Sequence, residues 1–472
     1  MGQLENIDHF VVLMLENLSF DSMLGVLYDK AEDFDGLAGS ETNLDAHGTP
    51  IQVWNSAGID EPTMRTPNPD PGELWTDINT QLFGTPNVGN PALVPTMDGF
   101  VRNYLAQKNG PIGRNIMHYF TPKQVPVIST LAKSFAVCDR WFASAPCQTW
   151  PNRWFVHCAT ADGRENNEPV HLPDVETIYN RFEQAGLHDW KIYFHDLAQA
   201  HTLLKLLLLS DHFHFYQQFQ ADCQRGQLPT YSFIEPQYYS DLAHPENDQH
   251  PPSVVTLGEQ LVADVYNCIR SSRAWKKTML IITYDEHGGC YDHFPPPAAA
   301  EPEPAKPGQV FDFDRYGVRV PAVIVSPYVK AGTKFRAVGA VPCDHTSIIS
   351  TLRKRFLALG GPLTQRDAGA PDLDAVLTLP SASNNGPSRL AALPYATAPS
   401  VAAEAHAAPL NDNQRALVGL AANFPVTPVA NLPAHLAAVR AGAKQPPPEF
   451  TTNVRTASAF VKKQVGNLFS SV

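Results

Sequence analysis

The chain has 472 residues, 43% of them hydrophobic, which is enough to bury one large core or two moderate ones and excludes disorder throughout. Its formal net charge of −12 and pI of about 5.8 supply no clustered positive field, so DNA and RNA are excluded as expected partners. The seven cysteines are odd in number, scattered and free of any C-x-x-C pair, and read as reduced thiols.

The opening residues carry no basic segment, and the apolar run Phe10–Leu15 stops at Glu16, so no Sec-type leader is expected. No apolar stretch approaches the roughly 20 residues that span a bilayer. The expectation is a protein that stays in the cytoplasm or leaves by a leaderless route. Ile7–Leu15, Trp190–Phe194, Met279–Tyr284 and Val320–Val325 read as buried strands, and Leu203–Leu209 as a buried helix. Leu257–Ser272 repeats its apolar positions at helical spacing. This mixture predicts an α/β fold, a mostly parallel sheet with helices on both faces. Ligands in such sheets bind at the carboxyl ends of the strands, so residues that end a strand run are the first candidates.

The first strand ends in Glu16-Asn17-Leu18-Ser19. Neighbouring side chains on a regular strand point to opposite faces, so Glu16 and Asn17 converge only if the chain turns there. Together they offer hard oxygen ligands for a divalent cation; taken alone, the same residues also read as a turn and helix cap. Thr149 lies in the Pro-bounded segment Ala145–Arg153, where its hydroxyl can be presented to a metal or can simply belong to the turn, as can Asn152. His195 ends the strand Trp190–Phe194, His250 precedes a Pro pair, and His345 sits in Cys343–Ser347. With 17 histidines in the chain, position alone does not select among them. Met279–Tyr284 runs into Asp285-Glu286-His287-Gly288-Gly289, a dense group of metal-ligand and acid–base side chains with a Gly pair that permits a sharp turn. Pro295–Pro307 reads as an extended surface loop.

From about Ala375 the composition shifts to Ala, Pro, Ser and Asn, which places a catalytic domain at 1–374 and a C-terminal extension at 375–472. Two amphipathic helices are predicted in the extension, Asn411–Phe424 and Thr452–Phe469, separated by Pro446–Pro448. Their apolar faces require a surface to cover, on their own catalytic body or on a second copy. Control of access to the site and self-association are both expectations for this segment.

Six blocks, in order "IDHFVVLMLENLSFDSMLG", "FAVCDRWFASAPCQTWPNRW", "NDQHPP", "ITYDEHGGCYDHFPPP", "YGVRVPAVIVSP" and "DHTSIISTLRKRF", resemble a bacterial phosphoesterase family that includes nonspecific phospholipases C and an acid phosphatase. The resemblance runs from about Ile7 to Arg366. It implies an alkaline-phosphatase-like α/β fold and transfer of a phosphoryl group to a Ser or Thr nucleophile before hydrolysis. It further implies that Glu16, Asn17, Asp285 and Glu286 ligate a divalent metal ion together with Thr149, the nucleophile. His250 and His287 would meet the phosphoryl or leaving group, with His195 and His118 as looser matches. Leu18 stands where that family usually has Arg, and "SAPCQTWPN" replaces a Gly-containing turn.

The function expected is metal-dependent phospholipase C activity on phosphatidylcholine-type lipids through a phosphothreonine, with contact to a membrane surface. Trp141, Trp150 and Trp154 near the nucleophile could face a choline head group, or pack in the core. The rivals are an acid phosphatase acting on small phosphomonoesters, a secreted effector against a competitor's membrane, and a non-catalytic lipid-binding scaffold.

Overall fold

The computed structural model describes residues 3–86, 93–107, 112–169, 172–207, 209–241, 244–395, 407–424, 438, 442 and 444–469. The strands are β1 (His9–Leu15), β2 (Thr42–Leu44), β3 (Pro50–Gln52), β4 (Ala136–Cys138), β5 (Trp141–Phe142), β6 (Trp190–Phe194), β7 (Phe213–Phe215), β8 (Tyr231–Ile234), β9 (Thr278–Tyr284), β10 (Ala322–Val325), β11 (Thr333–Phe335) and β12 (Cys343–Asp344). Eight of them form one sheet in the order β11-β4-β10-β9-β1-β8-β6-β7. All its pairings are parallel except those of β10, which runs antiparallel to both β9 and β4. The fold is mixed α/β with a mostly parallel central sheet.

Unbroken apolar runs explain the centre of that sheet. From Phe10 to Leu15 every residue of β1 is buried, as is all of β9, so both faces of these strands are covered. The expected strand at Val320–Val325 begins at Ala322 instead. Pro321 lacks the N–H a central ladder requires, and Val320 is spent on a bond to the Trp141 carbonyl. Short β4, β7, β8 and β11 were not visible as apolar runs; in β8, Ser232 interrupts the pattern although it is fully buried. The helix expected over Leu257–Ser272 spans Val255–Ser271, and its Glu259 carboxylate accepts from the Val127 and Ile128 amides at 2.6 and 3.0 Å. It thereby caps the neighbouring helix Pro126–Ser134. Leu203, Leu204 and Leu206 are core residues, and Leu208 lies outside the described residues.

In the extension, helices form at Asp412–Ala422 and Val454–Phe469. They pack against each other, and Leu417, Leu420, Val461 and Val465 join the same hydrophobic core as β1 and β9. The surface these helices needed is therefore their own chain's body. No helix among the described residues is long and apolar enough to cross a membrane. All seven cysteines are free.

Candidate active site

The register of the two central strands builds the site. Leu15 of β1 pairs with Tyr284 of β9, so both strands end in step and Glu16-Asn17 emerges beside Asp285-Glu286. Asn17 turns into the left-handed region at φ 60°, the turn its side chain needs to swing inward. Its amide donates to Asp285 Oδ1 at 3.1 Å, and its Nδ2 lies 3.0 Å from Glu286 Oε1 and 3.1 Å from His250 Nε2. Its Oδ1 accepts from the Thr149 hydroxyl at 3.4 Å. One carboxamide thus joins the nucleophile candidate to a strand-end carboxylate and an imidazole. The chain after Glu286 passes so close that a Cβ on Gly288, at φ 58°, would stand 2.0 Å from the Asn17 carbonyl oxygen.

Thr149 opens the helix Thr149–Cys158 and is buried. The turn before it is held by Asn152, whose Oδ1 accepts from the Ala145 amide at 3.0 Å while its Nδ2 donates to the Ala145, Cys147 and Gln148 carbonyls. One helical turn on from Thr149, Arg153 reaches under the strand ends. It pairs with Glu16 at 2.6 Å and Asp285 at 3.2 Å and also donates to the Met14 carbonyl at 3.2 Å. Burial opposes its charge, but Tyr238, Glu16 and Asp285 more than compensate and hold the guanidinium firmly protonated.

The Glu16 carboxylate is engaged on both oxygens, as are those of Asp285 and Glu286. Besides Arg153, Oε1 accepts from Gln199 Nε2 at 2.7 Å, and Oε2 accepts from Asn413 Nδ2 at 3.1 Å. Gln199 is set by Glu235, at the end of β8, which accepts the Gln199 and Ala200 amides at 2.7 and 3.0 Å. Asn413 belongs to the C-terminal extension, and its neighbour Gln414 exchanges bonds with Tyr238 and Tyr239 of the catalytic body. The extension therefore supplies a side chain to the site. Asn413→Ala is expected to cost about 1–3 kcal/mol of stability, because it leaves a buried carboxylate oxygen without a donor, and to lower turnover as well. Unchanged melting temperature and unchanged kcat would show that this contact is idle.

The candidate histidines divide. His250 is fully buried, with its Nδ1 2.8 Å from the Pro251 carbonyl and its Nε2 3.5 Å from Glu73 Oε1. Burial would lower its pKa, but Glu73 and Asp70 beside it raise it well above the ordinary range. His287 lies 3.2 Å from Glu286 Oε2 and 2.8 Å from Gln81 Oε1, and burial lowers its pKa to about 3. His345 donates from Nε2 to the Asp285 carbonyl at 2.6 Å, its Nδ1 facing the Trp141 indole N–H. His195 stands apart, stacked on Tyr216 with its Nδ1 on the Glu235 carbonyl. His118 packs between Trp54 and Phe120. Asp292 and His293 also turn away from Thr149, toward Asp21, and Arg319 bridges Asp292 and Asp21.

Asn17, Thr149, Asp285 and Glu286 make an oxygen-rich donor set that fits a divalent cation. Burial raises the pKa of Asp285 against the pull of Arg153, and burial with repulsion from Glu73 and Asp285 raises that of Glu286 well above the usual carboxylate range. A cation would remove that cost. Around this set, Arg153 Nη1, Gln199 Oε1, Glu73 Oε1 and Asn413 Oδ1 are buried without a hydrogen-bond partner, the usual mark of a site built for a ligand. Asp70, Glu73, Gln199 and Asn413 went unread in the sequence. None ends an apolar run, and Asp70 and Glu73 lie in the Pro-rich segment Thr66–Glu73.

Trp141, Trp150 and Trp154 are all buried to within 1% and form part of the core, so they present no open face to a choline group. A cavity of about 300 Å³ lined by Leu74, Gln148, Asn167, Asp412 and Arg415 lies between the extension and the residues flanking Glu73 and Thr149. A larger one, about 680 Å³, lies far from this chemistry, beside Phe335, Lys354 and Asp374.

The profile of the Phosphoesterase family matches residues 7–358. The chain is 37% identical to non-specific phospholipase C3 of Arabidopsis thaliana over 431 residues, 87% of this chain and 81% of that protein. It is 28% identical to phospholipase C B of Mycobacterium tuberculosis, over 83% of this chain and 82% of the relative. A solved protein of the alkaline phosphatase superfamily from Vibrio parahaemolyticus superposes on 52% of this chain and 64% of its own, at 14% identity and a TM-score of 0.32, too loose an overlap to argue from. The match over three quarters of the chain, with the strand-end carboxylates and Thr149 converging inside it, makes this protein a member of the Phosphoesterase family and a phosphoric-ester hydrolase.

Proposed function

We propose that the protein is a phospholipase C, metal-dependent, that cleaves glycerophospholipids through a phosphothreonine at Thr149. The observation that carries this reading is the buried Thr149 hydroxyl 3.4 Å from Asn17, where Asp285 and Glu286 also converge. The relatives named phospholipase C supply the substrate class. In the first step a bond forms between Thr149 Oγ1 and phosphorus, the bond from phosphorus to the diacylglycerol oxygen breaks, and the proton that leaves Oγ1 is balanced by one gained by the departing oxygen, so that diacylglycerol leaves as the alcohol. Water then attacks phosphorus and releases the phosphorylated head group, which restores the hydroxyl.

A divalent ion held by Asn17, Asp285, Glu286 and Thr149 would supply Lewis-acid stabilisation of charge on the phosphoryl group. Asn152 and the turn it staples aim the nucleophile. Arg153 and Asn17 fix the two strand ends relative to each other, and His345 holds Asp285. Glu16 orients this assembly through Arg153 and links it to the extension. His250 lies 3.1 Å from the Asn17 carboxamide, which supports a role on the side of the leaving oxygen.

A substrate panel tests the reading. Turnover of p-nitrophenylphosphorylcholine should exceed that of p-nitrophenyl phosphate, and both should fall by more than about tenfold after chelation and return when divalent ions are added back. A monoester preference would favour an acid phosphatase, and turnover indifferent to chelation would remove the metal from the mechanism.

A further inference from the structure

A second group of ligand-type side chains stands beside the one already described. Asp70, Glu73 and His250 each direct a ligand atom into a space where all three atoms lie within 4.8 Å of one another. Glu73 is 2% exposed, and its Oε1 accepts no hydrogen bond; nor does Asp70 Oδ1. Among the described residues no Lys or Arg lies within ion-pair distance of either carboxylate, and His250 is the basic side chain within that distance of both. Two carboxylate oxygens without donors, set within 4.8 Å of each other and of an imidazole nitrogen, make a donor set that a cation would complete.

From this arrangement we infer that Asp70, Glu73 and His250 bind a second divalent cation, separate from the ion assigned to Asn17, Thr149, Asp285 and Glu286. Three features set it apart from a generic acidic patch. Nδ1 of His250 is committed to the Pro251 carbonyl at 2.8 Å, the kind of contact that orients metal-bound histidines, so a cation would take Nε2, which faces Glu73 Oε1 at 3.5 Å, in place of its 3.1 Å contact with Asn17 Nδ2. An imidazole with two carboxylates favours a zinc- or manganese-like ion over magnesium or calcium. Three protein ligands leave coordination positions open, the pattern of a catalytic site. The Asp70 side chain, 25% exposed, forms the rim through which an ion enters.

The inference extends the proposed mechanism, in which the charge of the leaving oxygen is met on the His250 side, but its test is independent of any substrate. The full-length chain is stripped with chelator and titrated with Zn²⁺, and bound zinc per chain is determined by elemental analysis alongside a thermal melt. The wild type should bind two ions. Glu73→Gln and Asp70→Asn should each bind one and keep a folded transition, whereas Asp285→Asn should lose the other. A wild type that binds a single ion, or variants at Asp70 and Glu73 that still bind two, would overturn the second site. So would full zinc binding in Glu73→Gln accompanied by a raised KM for amine-bearing lipids alone, which would make the pocket an ammonium site. Two ions lost independently by these variants uphold the site even if the lipid substrate proves wrong.

Discussion

Thr149→Ala should lose roughly 10³-fold or more in kcat, the scale seen when a covalent nucleophile is removed, while keeping its melting temperature and its metal. Thr149→Ser should retain part of the rate, since it keeps the hydroxyl and drops only the methyl that limits rotamer choice. The turn does not hang on the threonine hydroxyl, because Asn152 bonds Ala145, Cys147 and Gln148 and the Gln148 amide donates to the Glu165 carbonyl. Loss of fold and loss of chemistry therefore separate cleanly. The competing route is direct attack by water with Thr149 as a bystander, and it leaves the Ala variant with substantial turnover. Rapid acid quench with phosphorus-labelled substrate followed by peptide mapping distinguishes the two. Label on the peptide containing Thr149 supports the two-step route, and label on another residue would refute the assignment.

Gly288→Ala should be the most damaging change of a single methyl group at the site. Gly288 has φ 58°, and a Cβ there would lie 2.0 Å from the Asn17 carbonyl oxygen and 2.7 Å from the Asn17 Cβ. The left-handed backbone alone costs about 1–2 kcal/mol for a residue with a Cβ. The clash adds to this, because neither atom belongs to a flexible side-chain end: the turn after β9 would have to move off the turn after β1. Metal binding and activity should fall together with stability. Gly332 serves as the control, since it has φ 72° and nothing within 4 Å of its Cβ position. Gly332→Ala should therefore show the backbone cost alone. Urea unfolding of both variants measures the difference, and equal midpoints with activity retained in Gly288→Ala would show that the two strand-end turns tolerate separation.

Much of this architecture could be read from the sequence because central parallel strands are apolar on both faces. Ile7–Leu15 and Met279–Tyr284 announced β1 and β9 without any knowledge of their partners, and the polar residues that end them marked Glu16, Asn17, Asp285 and Glu286 as candidates. The helices of the extension were visible from their periodicity, within two residues at each end. What those helices cover was not, because periodicity defines an apolar face and says nothing about its partner. Only the tertiary structure brings Asn413 to Glu16 across 397 residues of sequence, or sets Glu73 against His250. It also decided among residues of equal promise. His195 and His250 both follow strand or turn signals, yet one stacks on Tyr216 and the other faces Asn17, since a histidine's role depends on which neighbours the sheet order supplies. Local sequence determined which segments form strands and which polar groups end them; long-range register, as in the pairing of Leu15 with Tyr284, determined which of those groups meet.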